Sequence, residues 1–145
     1  MTADRRRIAF LKRLARVRAI ERRQAAWQLA EARSTQARMF DLAARSRDLA
    51  ADYAGLRPTA DAQSLLTLHS FRAQLTSMAG EAAQMGDAAE LGAQQAGVAL
   101  ARAEHRADTV NERIASEQRR VALRRVARAQ LDASGLARRL QNQGE

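Results

Sequence analysis

The chain has 145 residues, of which 46% are apolar but only 3% aromatic. Because much of the apolar fraction is alanine, which favours helices and buries little area, this composition excludes a thick globular core. Cysteine is absent, which excludes disulfides and thiolate chemistry. The formal net charge is +9, with arginine supplying 24 of the 25 basic residues, so the partner surface should carry carboxylates, phosphates or anionic lipid.

The first predicted element is a helix over residues 4–54. Its apolar residues lie at helical spacing near both ends. The stripe near the C-terminal end consists of Leu42, Leu49, Tyr53 and Leu56, broken only by Ser46. The stripe near the N-terminal end consists of Ile8, Leu11, Ala15, Val17, Ile20 and Trp27. Such spacing is typical of a helix that packs one face against a partner.

The second predicted element is a turn over residues 55–59. Gly55 suits the left-handed position that follows a helix, and Pro58 cannot continue one. Thr59 can cap the next helix, with Asp61 in its first turn at the positive end of the helix dipole. The chain is therefore expected to reverse its direction here.

The third predicted element is a helix over residues 60–140, which carries the clearest heptad pattern. Its apolar stripe runs in alternating steps of three and four residues through Leu68, Phe71, Leu75, Met78, Ala82, Met85, Ala89, Gly92, Ala96, Ala99 and Ala103. Beyond Ala103 the stripe is expected to step sideways, because the next apolar residues are Ala107, Val110, Ile114 and Val121. A sustained heptad pattern predicts a coiled coil, and a phase shift locally unwinds it.

These elements predict an all-α fold, with residues 1–145 forming a single helical-hairpin domain. We expect a rod-shaped, antiparallel two-helix coiled coil in which the second helix is longer. Folding about the turn would pair residues whose numbers sum to about 117, which places Trp27 near Gly92. About 25 residues of the second helix would then extend beyond the paired part, with a half-exposed apolar stripe that invites a partner or self-association.

Basic residues cluster at two places in the chain. Residues 1–25 hold nine basic and two acidic residues, and residues 119–128 hold five arginines and no acid. A hairpin places both clusters away from the turn, where like charges repel each other, so we interpret this end as functional. Its partner could be an acidic protein socket, nucleic acid or an anionic membrane surface. The lack of aromatic stacking platforms argues against nucleic acid.

No residue pattern indicates catalysis, so the sequence predicts a binding or mechanical protein and not an enzyme. His69 and His105 are 36 positions apart and are interpreted as surface residues. Carboxylates are spread along helix surfaces, and the internal glycines occur singly instead of in a phosphate loop. We therefore expect no cofactor and no metal site. No apolar run reaches the length of a membrane span.

The beginning of the chain resembles the flagellar FliJ family. The resemblance lies in the basic and apolar residues 10–18, followed by Glu21 and the alanine-rich residues 25–32. The chain length, the two-helix layout and the arginine-rich second helix are also similar. FliJ proteins, like their YscO-like injectisome counterparts, resemble the central stalk of rotary ATPases.

The resemblance implies a non-enzymatic part of a bacterial type III export apparatus. Its partners would be a hexameric export ATPase, the cytoplasmic domain of the export gate and, in some members, substrate chaperones. The residues expected to bind the ATPase ring are Arg13, Arg16, Arg18, Arg120, Arg124 and Arg125. Those expected to bind the gate are Leu49, Tyr53, Phe71 and Leu75, with Leu49 replacing a tyrosine common in the family. Residence would be cytoplasmic, peripheral to the inner membrane through these partners.

Two other functions compete with this reading. The first is a generic coiled-coil adaptor or a protein that dimerises through the C-terminal extension. The second is a basic helical protein that binds nucleic acid or a membrane surface, for which binding should weaken steeply with salt.

Overall fold

The computed structural model describes residues 3–56 and 61–142. Two helices account for nearly all of them: α1 (Ala3–Gly55) and α2 (Ala62–Asn142). The helices pack against each other, α2 is the longer, and the described residues form no strand. The contacts of Asp4 with Arg120 and of Tyr53 with Phe71 make the pairing antiparallel. The predicted all-α class with a longer second helix is confirmed.

The helix ends next to the connection differ from the prediction. Gly55 is the last residue of α1 and does not have a positive φ, so the predicted left-handed glycine is wrong. Asp61 is the N-cap of α2, since its Oδ1 accepts a hydrogen bond from the Ser64 backbone N–H at 3.2 Å, which satisfies a free donor of the first turn. Pro58 and Thr59 lie outside the described residues.

We call the row of residues that each helix turns toward the other its seam. In α1 a row of residues that are not exposed follows a heptad spacing, in steps of three, four or seven, at Leu11, Ala15, Arg18, Ala25, Leu29, Ala32, Met39, Ala43, Ser46, Ala50 and Tyr53. Ala43 and Ser46 are only 1% and 3% exposed. Ser46 thus belongs to the seam that it was expected to break. Val17, Ile20 and Trp27, by contrast, are exposed, and the prediction that they line the seam is wrong.

The seam of α2 is continuous over seven heptads. It runs through Leu75, Ala79, Ala82, Gly86, Ala89, Ala93, Ala96, Leu100, Ala103, Ala107, Val110, Ile114, Glu117 and Val121. One predicted column is confirmed, including Leu75, Ala82 and Ala103. The other predicted column is wrong by one residue: Met78 and Met85 are 46% and 58% exposed, whereas Ala79 is 3% exposed. The sideways step after Ala103 does not occur.

The register of the helix pair also differs from the prediction. Phe40 lies over Gly86, Tyr53 packs on Phe71, and Arg7 pairs with Glu117, so the numbers of paired residues sum to between 124 and 126 and not to about 117. Trp27 is 68% exposed, and no side chain lies where a Cβ on Gly92 would point. The predicted packing of Trp27 on Gly92 is therefore wrong.

The helix pair divides into two compact units. The terminal unit combines Met1–Arg22 with Arg102–Glu145, and the connection unit is Arg23–Ala101. The terminal unit contains 18 basic and 8 acidic residues, a net charge of +10, while the connection unit contains 7 and 8, a net charge of −1. The net positive charge of the chain thus comes from the terminal unit.

Candidate protein-binding surfaces

The six arginines predicted to bind an ATPase ring all belong to the terminal unit. Arg13, Arg16 and Arg125 are exposed, and no ion pair holds them within the described residues. Arg18 lies in the α1 seam, where its guanidinium binds the Glu21 carboxylate at 2.7 Å. Three of the six arginines are therefore open to a partner. We call Arg13, Arg16 and Arg125 the open arginines.

Arg120 and Arg124 meet α1 through an ion-pair network. The Asp4 carboxylate lies 3.5 Å from a guanidinium nitrogen of each arginine. Glu117 binds Arg7 at 3.1 Å and Arg120 at 2.5 Å, and its side chain is only 13% exposed. The buried Nε of Arg120 has no hydrogen-bond partner among the described residues. These arginines already join the two helices, which leaves less of their charge for a partner.

A groove of about 530 Å³ lies beside this network, where α1 begins. Its walls combine the apolar side chains of Ile8, Val121 and Leu131 with several charged residues. The charged residues that line it are Asp4, Arg5, Arg124, Arg125 and Arg128. Four cations against one anion make this groove suitable for an acidic partner. Arg5 and Arg128 were not among the predicted site residues, because only the correct register brings them to one groove.

The four residues predicted to bind an export gate belong to the connection unit, and three of them are accessible. Leu49 and Phe71 are exposed, and Tyr53 is half-buried. The rings of Tyr53 and Phe71 pack edge to face, with centroids 4.9 Å apart and planes at 74°, an arrangement that stabilises aromatic pairs. Leu75 is buried in the seam, so its side chain is not open to direct contact with a partner.

Exposed apolar residues extend this site further along both helices. We call Leu42, Leu49, Leu56, Phe71, Met78 and Met85 the apolar flank; each is between 40% and 58% exposed. Leu42, Leu49, Met78 and Met85 each precede a seam residue by one position, and in an antiparallel pair these positions lie on the same side. All six belong to the apolar stripes that the sequence predicts. Their exposure makes them a surface on which a third helix could pack.

The described residues show few features of a metal site, a histidine site or a membrane-spanning segment. No cluster of three or more histidine, cysteine or acidic side chains that could hold a metal ion occurs among them. His69 lines a groove of about 310 Å³ beside Tyr53 and Leu56, and His105 is exposed. Within residues 3–56 and 61–142, neither helix contains an apolar stretch long enough to cross a membrane.

Comparison with protein families, with curated proteins and with solved structures finds no match. These comparisons neither support nor contradict the resemblance to the FliJ family, which rests on residues 10–18, Glu21 and residues 25–32 of the sequence. The roles that this similarity implies remain proposals.

Proposed function

We propose that this chain is a non-enzymatic coiled-coil component of a bacterial type III, flagellar-type export apparatus. It would act in the cytoplasm as the central stalk of a hexameric export ATPase and would link that ATPase to the export gate at the inner membrane. Substrate chaperones are further candidate partners. A stalk needs a long helical pair with separate binding surfaces, and the two units described above offer such surfaces.

The separation of charge between the two units carries this proposal. The terminal unit has a net charge of +10 and presents the open arginines on both helices. Arginine guanidinium groups bind carboxylates in a forked geometry without needing an apolar pocket. Contacts of this kind hold a stalk in an acidic ring while letting it turn, because no deep apolar lock must be broken.

The connection unit supplies the surface for the gate. Tyr53 and Phe71 present aromatic edges beside the exposed Leu49, and aromatic side chains contribute strongly to the energy of protein interfaces. The apolar flank continues this surface through Met78 and Met85, flexible side chains that adapt to a partner. An amphipathic segment of the gate fits such a surface.

Reversing the charge of the open arginines tests the role in the ATPase ring. With Arg13→Glu, Arg16→Glu and Arg125→Glu combined, stimulation of the purified export ATPase by this chain should fall at least about tenfold, since three charge-assisted contacts become repulsive. The matched control is Arg33→Glu, Arg45→Glu and Arg47→Glu, which changes the net charge equally in the connection unit. This control should retain stimulation. Circular dichroism must show the same helicity in both variants, and equal stimulation by both would contradict the proposal.

The C-terminal part of α2 favours a second candidate, an adaptor that dimerises. Large apolar residues beyond Val121 are exposed, among them Leu123, Leu136 and Leu140. Light scattering separates the two functions, because a stalk should be monomeric in isolation and an adaptor dimeric.

A further inference from the structure

The last part of α2 extends beyond the α1 seam. Val121 is half-buried, and from residue 122 to residue 141 every residue except Gly135 is exposed. Residues 122–142 continue α2 without a break, which gives a helix about 30 Å long. The start of α1 lies beside residues 124–131, where Asp4, Arg5 and Ile8 line the shared groove. We call this segment the C-terminal extension.

The C-terminal extension is amphipathic. At 100° per residue, eight of its ten apolar side chains fall within an arc of about 140° that contains no charged residue, while Ala127 and Leu131 lie outside it. The eight are Ala122, Leu123, Val126, Ala129, Ala133, Leu136, Ala137 and Leu140. Leu131, which is 71% exposed, lies on the opposite face. This arc is wider than the narrow stripe of a two-helix seam, so it suits a broad apolar surface better than a single helix.

All charged residues of the C-terminal extension lie outside this arc. Asp132 is the only acidic residue of the extension. The basic residues are Arg124, Arg125, Arg128, Arg138 and Arg139, so the extension has a net charge of +4. Arg124 binds Asp4, and the other four arginines make no ion pair within the described residues. A helix with leucines on one face and arginines on the other is typical of segments that lie in a membrane interface.

We propose that the C-terminal extension adsorbs to anionic lipid bilayers, with its apolar arc in the interface and its arginines among the phosphate headgroups. Charge complementarity favours an anionic bilayer over a second copy of the chain as the partner of this surface. Two copies packed through this arc would bring together two segments that each have a net charge of +4, which like-charge repulsion opposes. Anionic headgroups neutralise the same arginines. This inference goes beyond the proposed function and does not depend on it.

The apolar side chains and the arginines each contribute a limited free energy of membrane binding. Only four large apolar side chains lie in the arc, and the other four are alanines that insert little area. Binding should therefore need both the leucines and the anionic lipid, and it should be reversible.

A matched pair of leucine substitutions tests this proposal in the full chain. Leu136→Glu places a carboxylate inside the apolar arc, and Leu131→Glu makes the same change on the opposite face. In co-flotation with vesicles of phosphatidylcholine and phosphatidylglycerol, Leu131→Glu should weaken partitioning about fivefold, the effect of one charge near the surface. Leu136→Glu should weaken it about fiftyfold, because a buried leucine is lost as well. Vesicles of phosphatidylcholine alone should bind little of the unmodified chain.

Tryptophan fluorescence tests the same proposal without a glutamate, which could disturb the helix. In the Trp27→Phe background, Leu136→Trp should show a blue-shifted emission on adding anionic vesicles, and Leu131→Trp should not. Four outcomes would overturn the proposal: no binding to anionic vesicles, equal weakening by both glutamate variants, equal emission of both tryptophan variants, or a dimer in sedimentation equilibrium that Leu136→Glu dissociates. Equal weakening would indicate a surface that attracts any polyanion, nucleic acid included.

Discussion

At the scale of single residues, the close approach of the two helices depends on the absence of a side chain at Gly86. A Cβ placed there would lie 2.7 Å from the ring of Phe40, closer than van der Waals contact permits. The ring therefore fills the space above the glycine and sets the register at this point. Gly80 lies six residues earlier on the same helix, with no atom within 4 Å of the corresponding Cβ position.

We predict opposite effects of alanine at these two glycines. Gly80→Ala should raise the free energy of unfolding by about 0.5 to 1 kcal/mol, because alanine favours a helix over glycine. Gly86→Ala should instead lower it by about 1 kcal/mol, since displacing the Phe40 ring costs more than the gain in helix propensity. Urea unfolding followed by circular dichroism measures both changes.

The Phe40→Ala background provides the control for this pair. Without the ring, Gly86→Ala should become stabilising, as Gly80→Ala is in the unmodified chain. A stabilising Gly86→Ala in the unmodified chain would show that the ring does not restrict this position.

At the scale of the helices, the sequence predicts the two elements well and the seam only in part. The composition and the heptad pattern are sufficient for two long helices, and the column through Leu75, Ala82 and Ala103 follows directly from them. The second column was misplaced because Met78 and Met85 are large and apolar, whereas the seam contains small residues that let the backbones approach. Only the column of Ala79 and Gly86 continues without a break to Val121. The continuity of the heptad pattern therefore predicts the seam better than the size of the apolar side chains does.

Neighbouring glutamine substitutions check the phase of the seam. Ala79→Gln forces a larger polar side chain between the helices and should lower the free energy of unfolding by about 2 kcal/mol or more. Met78→Gln changes an exposed position and should stay within about 0.5 kcal/mol. Urea midpoints and m-values for both variants give the comparison. If Met78→Gln destabilises the chain more than Ala79→Gln does, Met78 lies in the seam, as the sequence predicts, and Ala79 does not.

The binding surfaces at this scale were less predictable than the helices. Charge clusters are visible in the sequence, so the open arginines are among the six that it predicts, but the sequence does not separate them from the paired Arg18, Arg120 and Arg124. The pairing of Asp4 with Arg120 and Arg124 could not be predicted, because it depends on a register that no local pattern determines. The burial of Leu75 and the exposure of Leu42 depend on the same information.

At the scale of the whole molecule, electrostatic repulsion opposes folding. The net charge is +9, and the terminal unit alone carries +10. In most of the ion pairs among the described residues at least one side chain is exposed, and pairs open to solvent contribute little to stability. The chain thus tolerates a concentration of like charge that its own contacts do not neutralise, which agrees with a surface that anionic partners complete.

Salt should therefore stabilise this chain. Raising sodium chloride shortens the Debye length from about 30 Å at 0.01 M to about 8 Å at 0.15 M, which screens repulsion among the exposed arginines more than it weakens the shorter Asp4 and Glu117 pairs. We expect the midpoint of thermal unfolding, followed by circular dichroism, to rise over this range. Replacing the open arginines by glutamine should raise the midpoint at low salt and flatten its salt dependence. A midpoint that falls with salt would mean that the ion pairs of Asp4 and Glu117 outweigh the repulsion among the arginines.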